Sequence, residues 1–484
     1  MYMPIVFLSY GIGVGRSYIN AVGYVLLEKR LQNENSKDLL TSCPHSAFMK
    51  QILSNLRNLF YGKCGTEINC SYNKLSRHQL ITRITELEHE LKQLSPDLKS
   101  SKSKSRRPFD VTKYEQRRIA LKVAYIGWNY YGFSRIRSNN VPTVETELFK
   151  ALQESNLISS PDDCNFSRGG RTDTNVSGLG QVVALDVRSN QLKTLQQNDA
   201  EISEHLPYLR MINSFLPDDI RVLAWAPVPS TFNARFDCIS RTYKYFFKKD
   251  SLDLDKMIEA GSHLVGSHDF RNFCLIDASR NLPHYERDIL SFDISHVEDD
   301  FYAVKIRGTG FLWHQIRYIM SILFLVGQKL ESPKVVKDLL DINKVPARPG
   351  YPLASGKPLV LYDCEYRDIE WIYDKNTIGW PASAIKTHNH FFELWNTNAI
   401  KGLLYKECMK MIEDFPVEME NQSVRVADCL SDYKKNRHQV LLGEGKSIIT
   451  KNYIKILDLP MSDTDKVKKE KYHLKQMSKL ERNQ

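Results

Sequence analysis

At 484 residues, with 42% hydrophobic and 11% aromatic residues, the chain has enough apolar area for a real core, and its length predicts two to three folding units. A formal charge of +10, from 67 Lys and Arg against 57 Asp and Glu, suits a polyanionic partner such as nucleic acid. Nine scattered cysteines with no C-x-x-C pair argue against a zinc site or a redox dithiol, and read as a reduced, intracellular protein.

Residues 1–74 read as a variable N-terminal extension. The apolar run Ile5 to Gly15 stops at Arg16, short of the ~18 residues a membrane span needs. Gly11, Gly13 and Gly15 miss the dinucleotide spacing, because the third glycine of G-x-G-x-x-G would fall on Arg16. The absence of acidic groups from residues 1–27 leaves an organellar leader open. Over 75–98, Leu80, Ile84, Leu87, Leu91, Leu94 and Leu98 step by four and three, predicting a short coiled-coil helix entered through a Ser76/Gln79 capping box. An amphipathic helix lying on its own domain has the same pattern. A basic linker is expected over 99–116, where Ser100 to Arg107 reads SSKSKSRR and offers nothing to bury.

Alternating Ile119, Leu121, Val123 and Tyr125 predict a half-buried strand. A helix starting at Thr143 follows, and Val183, Leu185 and Val187 give another strand; together they define a first unit over 117–230. A second unit over 231–370 has a strand at Tyr243 and Tyr245, then a hairpin of Asp288 to His296 with Phe301 to Arg307, turned by Glu298-Asp299-Asp300. A helix follows from about Trp313 to Gly327. This alternation predicts an α+β or mixed α/β fold with antiparallel pairing. Beyond Tyr366 periodicity weakens, and 371–484 reads as an extension whose basic end, Lys466 to Gln484, is disordered or partly helical.

Three stretches could carry chemistry. Ser167 to Gly180, SRGGRTDTNVSGLG, sets four glycines and two arginines around one carboxylate, Asp173. Glycines let a substrate backbone approach closely, while Arg171 favours phosphate and an ionised neighbour; a polar loop with a structural Asp173–Arg171 pair is the plainer alternative. Arg241 to Tyr245 places Tyr243 and Tyr245 on one strand face, either to stack on a base or to fill the core. Gly310 to Arg317 turns from strand into helix, where Arg317 could meet a carboxylate or stay exposed.

Together these stretches resemble the TruA family of RNA pseudouridine synthases, in the family's own order. Its G-R-T-D-x-G-V-[SH]-A motif appears as Gly170 to Gly178, and its F-x-A-R-F and S-R-x-Y-x-Y block as Phe232 to Phe236 and Ser240 to Tyr245. Its G-x-x-F-L-x-H-x-[VI]-R motif appears as Gly308 to Arg317. Ala124 to Trp128, His268 to Cys274 and Pro358 to Cys364 further resemble the eukaryotic branch that modifies positions 38 and 39 of the tRNA anticodon stem-loop. The resemblance implies a TruA-like α+β fold, in which two α/β subdomains share a largely antiparallel mixed sheet, with an N-terminal helical extension. Two residues depart from the motif: Asn175 replaces a glycine and Gly178 an alanine. Asn is the side chain that best tolerates a left-handed backbone, so the loop is expected to form.

The resemblance also implies a reaction that needs no cofactor or metal: the C1′–N1 bond breaks, the uracil turns, and C5 takes its place on C1′. Asp173 matches the family's catalytic nucleophile, Tyr243 its uracil-packing tyrosine, and Arg317 the arginine that holds the carboxylate ionised. Arg171 is expected to support the displaced strand or to occupy the vacated space. The expected partner is a tRNA, engaged by a homodimer in the nucleus and cytoplasm and away from membranes. Two alternatives remain open: the same chemistry on other uridines, or an inactive tRNA-binding protein.

Overall fold

The computed structural model describes residues 109–136, 141–193, 205–280, 282–373, 382–419, 422–435, 438–450 and 452–481. The coiled coil expected over 75–98 and the SSKSKSRR stretch lie outside them. Strand β1, Tyr114–Tyr125, begins inside the range expected to be linker, because Phe109 stacks on Tyr114 and Arg188 lies over both rings. Ile119, Leu121, Val123 and Tyr125 all point into one core, as their alternation predicts.

The first half continues with α1 (Val144–Glu154), β2 (Ser167–Arg168), β3 (Ser177–Leu192), α2 (Tyr208–Asn213) and β4 (Ile220–Pro227). Helix α1 starts where Thr143 caps it by accepting from the Thr146 amide, and buries Val144, Leu148, Ala151 and Leu152 on one face. The second half holds β5 (Ser240–Lys248), α3 (Leu254–Ser262), β6 (Gly266–Asp269), β7 (Glu286–Glu298), β8 (Phe301–Gly308), α4 (Gln315–Gly327), α5 (Lys334–Leu340) and β9 (Leu359–Glu365). Helix α4 is apolar nearly all round and is correspondingly buried, whereas α1 exposes a polar face.

These nine strands form one sheet in the order β4-β1-β3-β9-β5-β8-β7-β6, with β2 added beside β3. Every pairing is antiparallel except β3 with β9, where Ser177 meets Val360 and Gly178 meets Leu361. That parallel seam joins the two halves, each with its own helices and core on the sheet. It sets the start of β3 beside the strands of the second half.

The chain beyond β9 is more ordered than its weak periodicity suggests. It forms α6 (Ala382–Glu413), the strand pair β10 (Pro416–Met419) and β11 (Gln422–Arg425), α7 (Val426–Lys435), a second pair β12 (His438–Leu441) and β13 (Ser447–Thr450), and α8 (Asp465–Glu481). Single apolar residues anchor it: Val440 and Ile456 enter the second core, each worth about 1.5–3 kcal/mol when fully buried. Glu331 accepts from the Tyr453 hydroxyl at 2.7 Å and the Ile456 amide at 2.8 Å. Among the described residues no helix is long and apolar enough to cross a membrane.

Candidate active site

The loop from β2 to β3 carries Asp173, and both side-chain and backbone hydrogen bonds fix it. Buried Gln181 bridges Gly170, accepting from its amide at 3.1 Å and donating to its carbonyl at 2.8 Å. The Thr172 carbonyl accepts from Phe133 N at 3.1 Å, and Asn175 N donates to the Tyr130 carbonyl at 3.1 Å. Tyr125, wholly buried, places its hydroxyl 2.9 Å from Thr172 Oγ1, next to the carboxylate in sequence. Asn175 sits at φ 64°, so the left-handed turn that the motif's glycine would make is made here by asparagine.

The turn between β8 and α4 approaches Asp173 from the other side of the seam. Trp313 Nε1 donates to Asp173 Oδ1 at 3.2 Å, His314 Nε2 lies 3.4 Å from Oδ2, and Arg317 Nη1 lies 4.0 Å from Oδ2. Arg317 is held in turn by Nε donating to the Ala354 carbonyl at 2.7 Å. Three cationic or donor side chains would ordinarily hold a carboxyl low. Burial outweighs them, and the Asp173 carboxyl is raised above its usual range, with Arg317, Trp313 and Arg280 opposing that shift. Arg317 thus pulls toward the ionised form, as the motif implies, and burial pulls the other way more strongly.

Asp173 opens onto a cleft of about 1420 Å³ in which eight lining residues are arginines and no other lining residue is acidic. Tyr243 also lines the cleft, its ring edge-on to Phe311 with centroids 5.2 Å apart. Burial pushes its phenol well above the ordinary tyrosine value, so it stays protonated. Tyr245, on the same strand face, is instead a core residue whose hydroxyl donates to the Ser355 carbonyl at 3.0 Å. Tyr245 thus fills the core, while Tyr243 lines the cleft and packs partly against that core. Arg171 is exposed and lines the cleft, whereas Arg241 is spent on the loop, donating twice to the Gly169 carbonyl.

Comparison with known proteins places this architecture. A family profile described as tRNA pseudouridine synthase matches residues 260–367, from the end of α3 through β9. The tRNA pseudouridine(38/39) synthase of Bos taurus is 38% identical over 359 residues, covering 68% of this chain and 73% of that protein. This chain belongs to the tRNA pseudouridine synthase family. The Homo sapiens tRNA pseudouridine(38/39) synthase is 36% identical, over 72% of this chain and 78% of that protein. The Saccharomyces cerevisiae protein of the same name is 34% identical, over 90% of this chain and 99% of that one. A solved Cbf5-Nop10-Gar1 complex aligns with 44% of this chain and 54% of that one at 12% identity and a TM-score of 0.20, a likeness too slight to carry an argument.

Within this synthase, the cleft gathers all four side chains that the motifs single out: Asp173, Tyr243 and Arg317 in its wall and Arg171 where it is exposed. Two further groups against the carboxylate, Trp313 and His314, received no role from the sequence, although both stand in the third motif. A tryptophan and a histidine one turn before a predicted ion-pairing arginine were the available signal. Among the described residues no three His, Cys, Asp or Glu side chains cluster as metal ligands would.

Proposed function

We propose that this protein isomerises uridine to pseudouridine in the tRNA anticodon stem-loop, at positions 38 and 39, with Asp173 as the catalytic carboxylate. What carries the reading is a single half-buried carboxylate at the head of an arginine-lined cleft, in a chain whose relatives are named for that reaction. The arginines suit the phosphates of a bound strand, and a stem uridine reaches the cleft only by leaving the stack, which costs a few kcal/mol. Asp173 either attacks C1′ or removes a sugar proton; in both cases the uracil is freed at N1, turns, and bonds through C5. The C5 proton leaves and N1 gains one, so no redox equivalent is consumed. Tyr243, edge-on to Phe311 and held protonated, is placed to pack on the freed uracil. Arg317 faces the carboxylate, and exposed Arg171 supports the strand the uridine has left.

Site-resolved pseudouridine mapping of tRNA incubated with the purified protein tests this reading. Wild type should convert uridines 38 and 39 and Asp173→Ala neither, while Tyr243→Phe should lose most turnover and keep tRNA binding. Equal product from wild type and Asp173→Ala removes the catalytic assignment. Conversion elsewhere in place of 38 and 39 removes the target assignment alone.

We also propose that the protein acts as a homodimer joined through α6. The support is that Leu403, Leu404, Tyr405, Met409, Met411 and Ile412 on α6 are each more than half exposed, apolar area that a contact between subunits would bury. Replacing Leu404 and Met411 by Asp should halve the mass in solution, and an unchanged mass would remove α6 from the contact.

A further inference from the structure

His314 combines three costs that packing alone does not repay. Its backbone lies at φ 65°, ψ 7°, a left-handed conformation that costs a non-glycine residue about 1–2 kcal/mol. Its ring is mostly buried, and Nδ1 has no hydrogen-bond partner among the described residues. It also stands at the N-cap of α4 without capping it, since no side-chain bond from His314 satisfies a helix amide. Backbone carbonyls serve the helix start instead: Gln315 N donates to the Leu312 carbonyl at 3.1 Å and Tyr318 N to the His314 carbonyl at 3.0 Å.

What the left-handed turn does achieve is to aim Nε2 back at Asp173 Oδ2, 3.4 Å away. An ionised carboxylate only accepts, so Nε2 must carry the hydrogen for the contact to attract. A neutral ring then leaves Nδ1 as a bare lone pair, which matches its lack of a partner. The charged ring would bury an unpaired Nδ1–H, and burial, with the Arg317 and Arg348 guanidiniums nearby, pushes the imidazole down to about 4.

We propose that His314 is a positioning residue for Asp173, a neutral Nε2–H donor that fixes Oδ2 from the turn between β8 and α4 while Trp313 fixes Oδ1. The inference rests on the reading that Asp173 is the catalytic carboxylate. The contact is long in the free protein, as catalytic hydrogen bonds commonly are before substrate binds. The ring is wedged between Trp313, with centroids 4.8 Å apart, and Tyr318 at 6.3 Å, so it cannot swing away. A purely space-filling histidine would show the same packing, and the test separates the two.

The test compares His314→Asn with His314→Gln. Asn keeps the left-handed backbone but is too short to place a donor at Oδ2, whereas the Gln amide reaches the place of Nε2. For His314→Asn, kcat should fall about 10- to 100-fold with KM for tRNA within about twofold, the effect of a slightly misplaced reacting group. The acid limb of its kcat profile should also move to higher pH, because the carboxylate has lost a donor. His314→Gln should recover part of both. Arg317, Arg280, Trp313 and Tyr243 around Asp173, and Arg317 and Arg348 around His314, are the same in both variants, so the difference reads the lost donor. A second readout needs no turnover: carbon-13 NMR titration of labelled aspartate, with Asp173 assigned by its loss in Asp173→Asn, should show the same rise and recovery. An unmoved titration and acid limb in His314→Asn overturns the proposal, as does an equal loss of kcat and tRNA affinity that Gln leaves unrepaired. Should wild type make no pseudouridine, the functional reading falls, and the titration still decides the role of His314.

Discussion

Returning position 178 to the alanine of the family motif should harm this protein. A Cβ built on Gly178 lies 2.6 and 2.7 Å from two ring carbons of Tyr125 and 2.7 Å from its hydroxyl oxygen. Against a comfortable carbon separation of ~3.5 Å, the ring would have to retreat by roughly 1 Å. It has nowhere to go, because Tyr125 is 1% exposed and rests on Phe133 with centroids 5.6 Å apart. Overpacking of this kind costs about 1–3 kcal/mol. The retreat also drags the hydroxyl from its 2.9 Å contact with Thr172, so the neighbouring carboxylate shifts, and turnover should fall about 10-fold or more. Gly170→Ala is the matched control for stability: its Cβ would meet only Leu361 Cδ2 at 3.6 Å, an ordinary contact, and its unfolding free energy should stay within ~0.5 kcal/mol of wild type. Urea unfolding and single-turnover pseudouridine formation measure the two effects. A Gly178→Ala protein as stable and as fast as wild type would show that Tyr125 does not hold the loop.

Asp173→Asn should abolish turnover yet raise thermal stability at neutral pH. The folded carboxyl is raised above the ordinary aspartate value of 3.8, so its stability contribution is present below that value and lost as pH rises through the folded pKa. The melting-temperature advantage of the variant should therefore open as pH rises out of the carboxylate range, and a variant less stable than wild type at pH 7 would reverse the sign argued here. Trp313→Phe removes the donor to Oδ1; hydrogen bonds to charged groups are worth about 1.5–3 kcal/mol, less at a side chain 40% exposed, so kcat should drop about 5- to 20-fold with tRNA affinity kept in a filter-binding assay. Asn175→Gly should unfold no earlier than wild type, whereas Asn175→Val, forced to φ 64°, should lose about 1–2 kcal/mol in urea titration.

Much of the sheet could be read from sequence because its period was local. Ile119, Leu121, Val123 and Tyr125 alternate within one strand, Thr143 caps the helix it precedes, and Asp299-Asp300 turns a hairpin whose arms adjoin in the chain. The β3–β9 seam could not, since pairing Ser177 with Val360 depends on tertiary packing between distant segments. The C-terminal elements were hidden for another reason: their anchors are isolated side chains such as Val440 and Ile456, which make no pattern. At the site, Asp173, Tyr243 and Arg317 were legible as residue types within motifs. The ring of His314 was not, because a histidine, unlike the asparagine at 175, gives no sign in sequence of the left-handed backbone that aims it.

Under the proposed reading, the arginines around Asp173 have two separable tasks. Burial already works against the charge on this carboxylate in the free protein, and each incoming phosphate would press further toward protonation. A guanidinium recruited by phosphate could not also steady Asp173. Arg317 escapes that conflict, since Nε is tied to the Ala354 carbonyl and Nη1 faces Oδ2, so its position is fixed before substrate arrives. Exposed Arg171 is under no such restraint from the carboxylate. An Arg317→Lys protein keeps the charge but loses the fork that serves both contacts, so it should lose turnover before it loses affinity, whereas Arg171→Lys should leave the acid limb where it is.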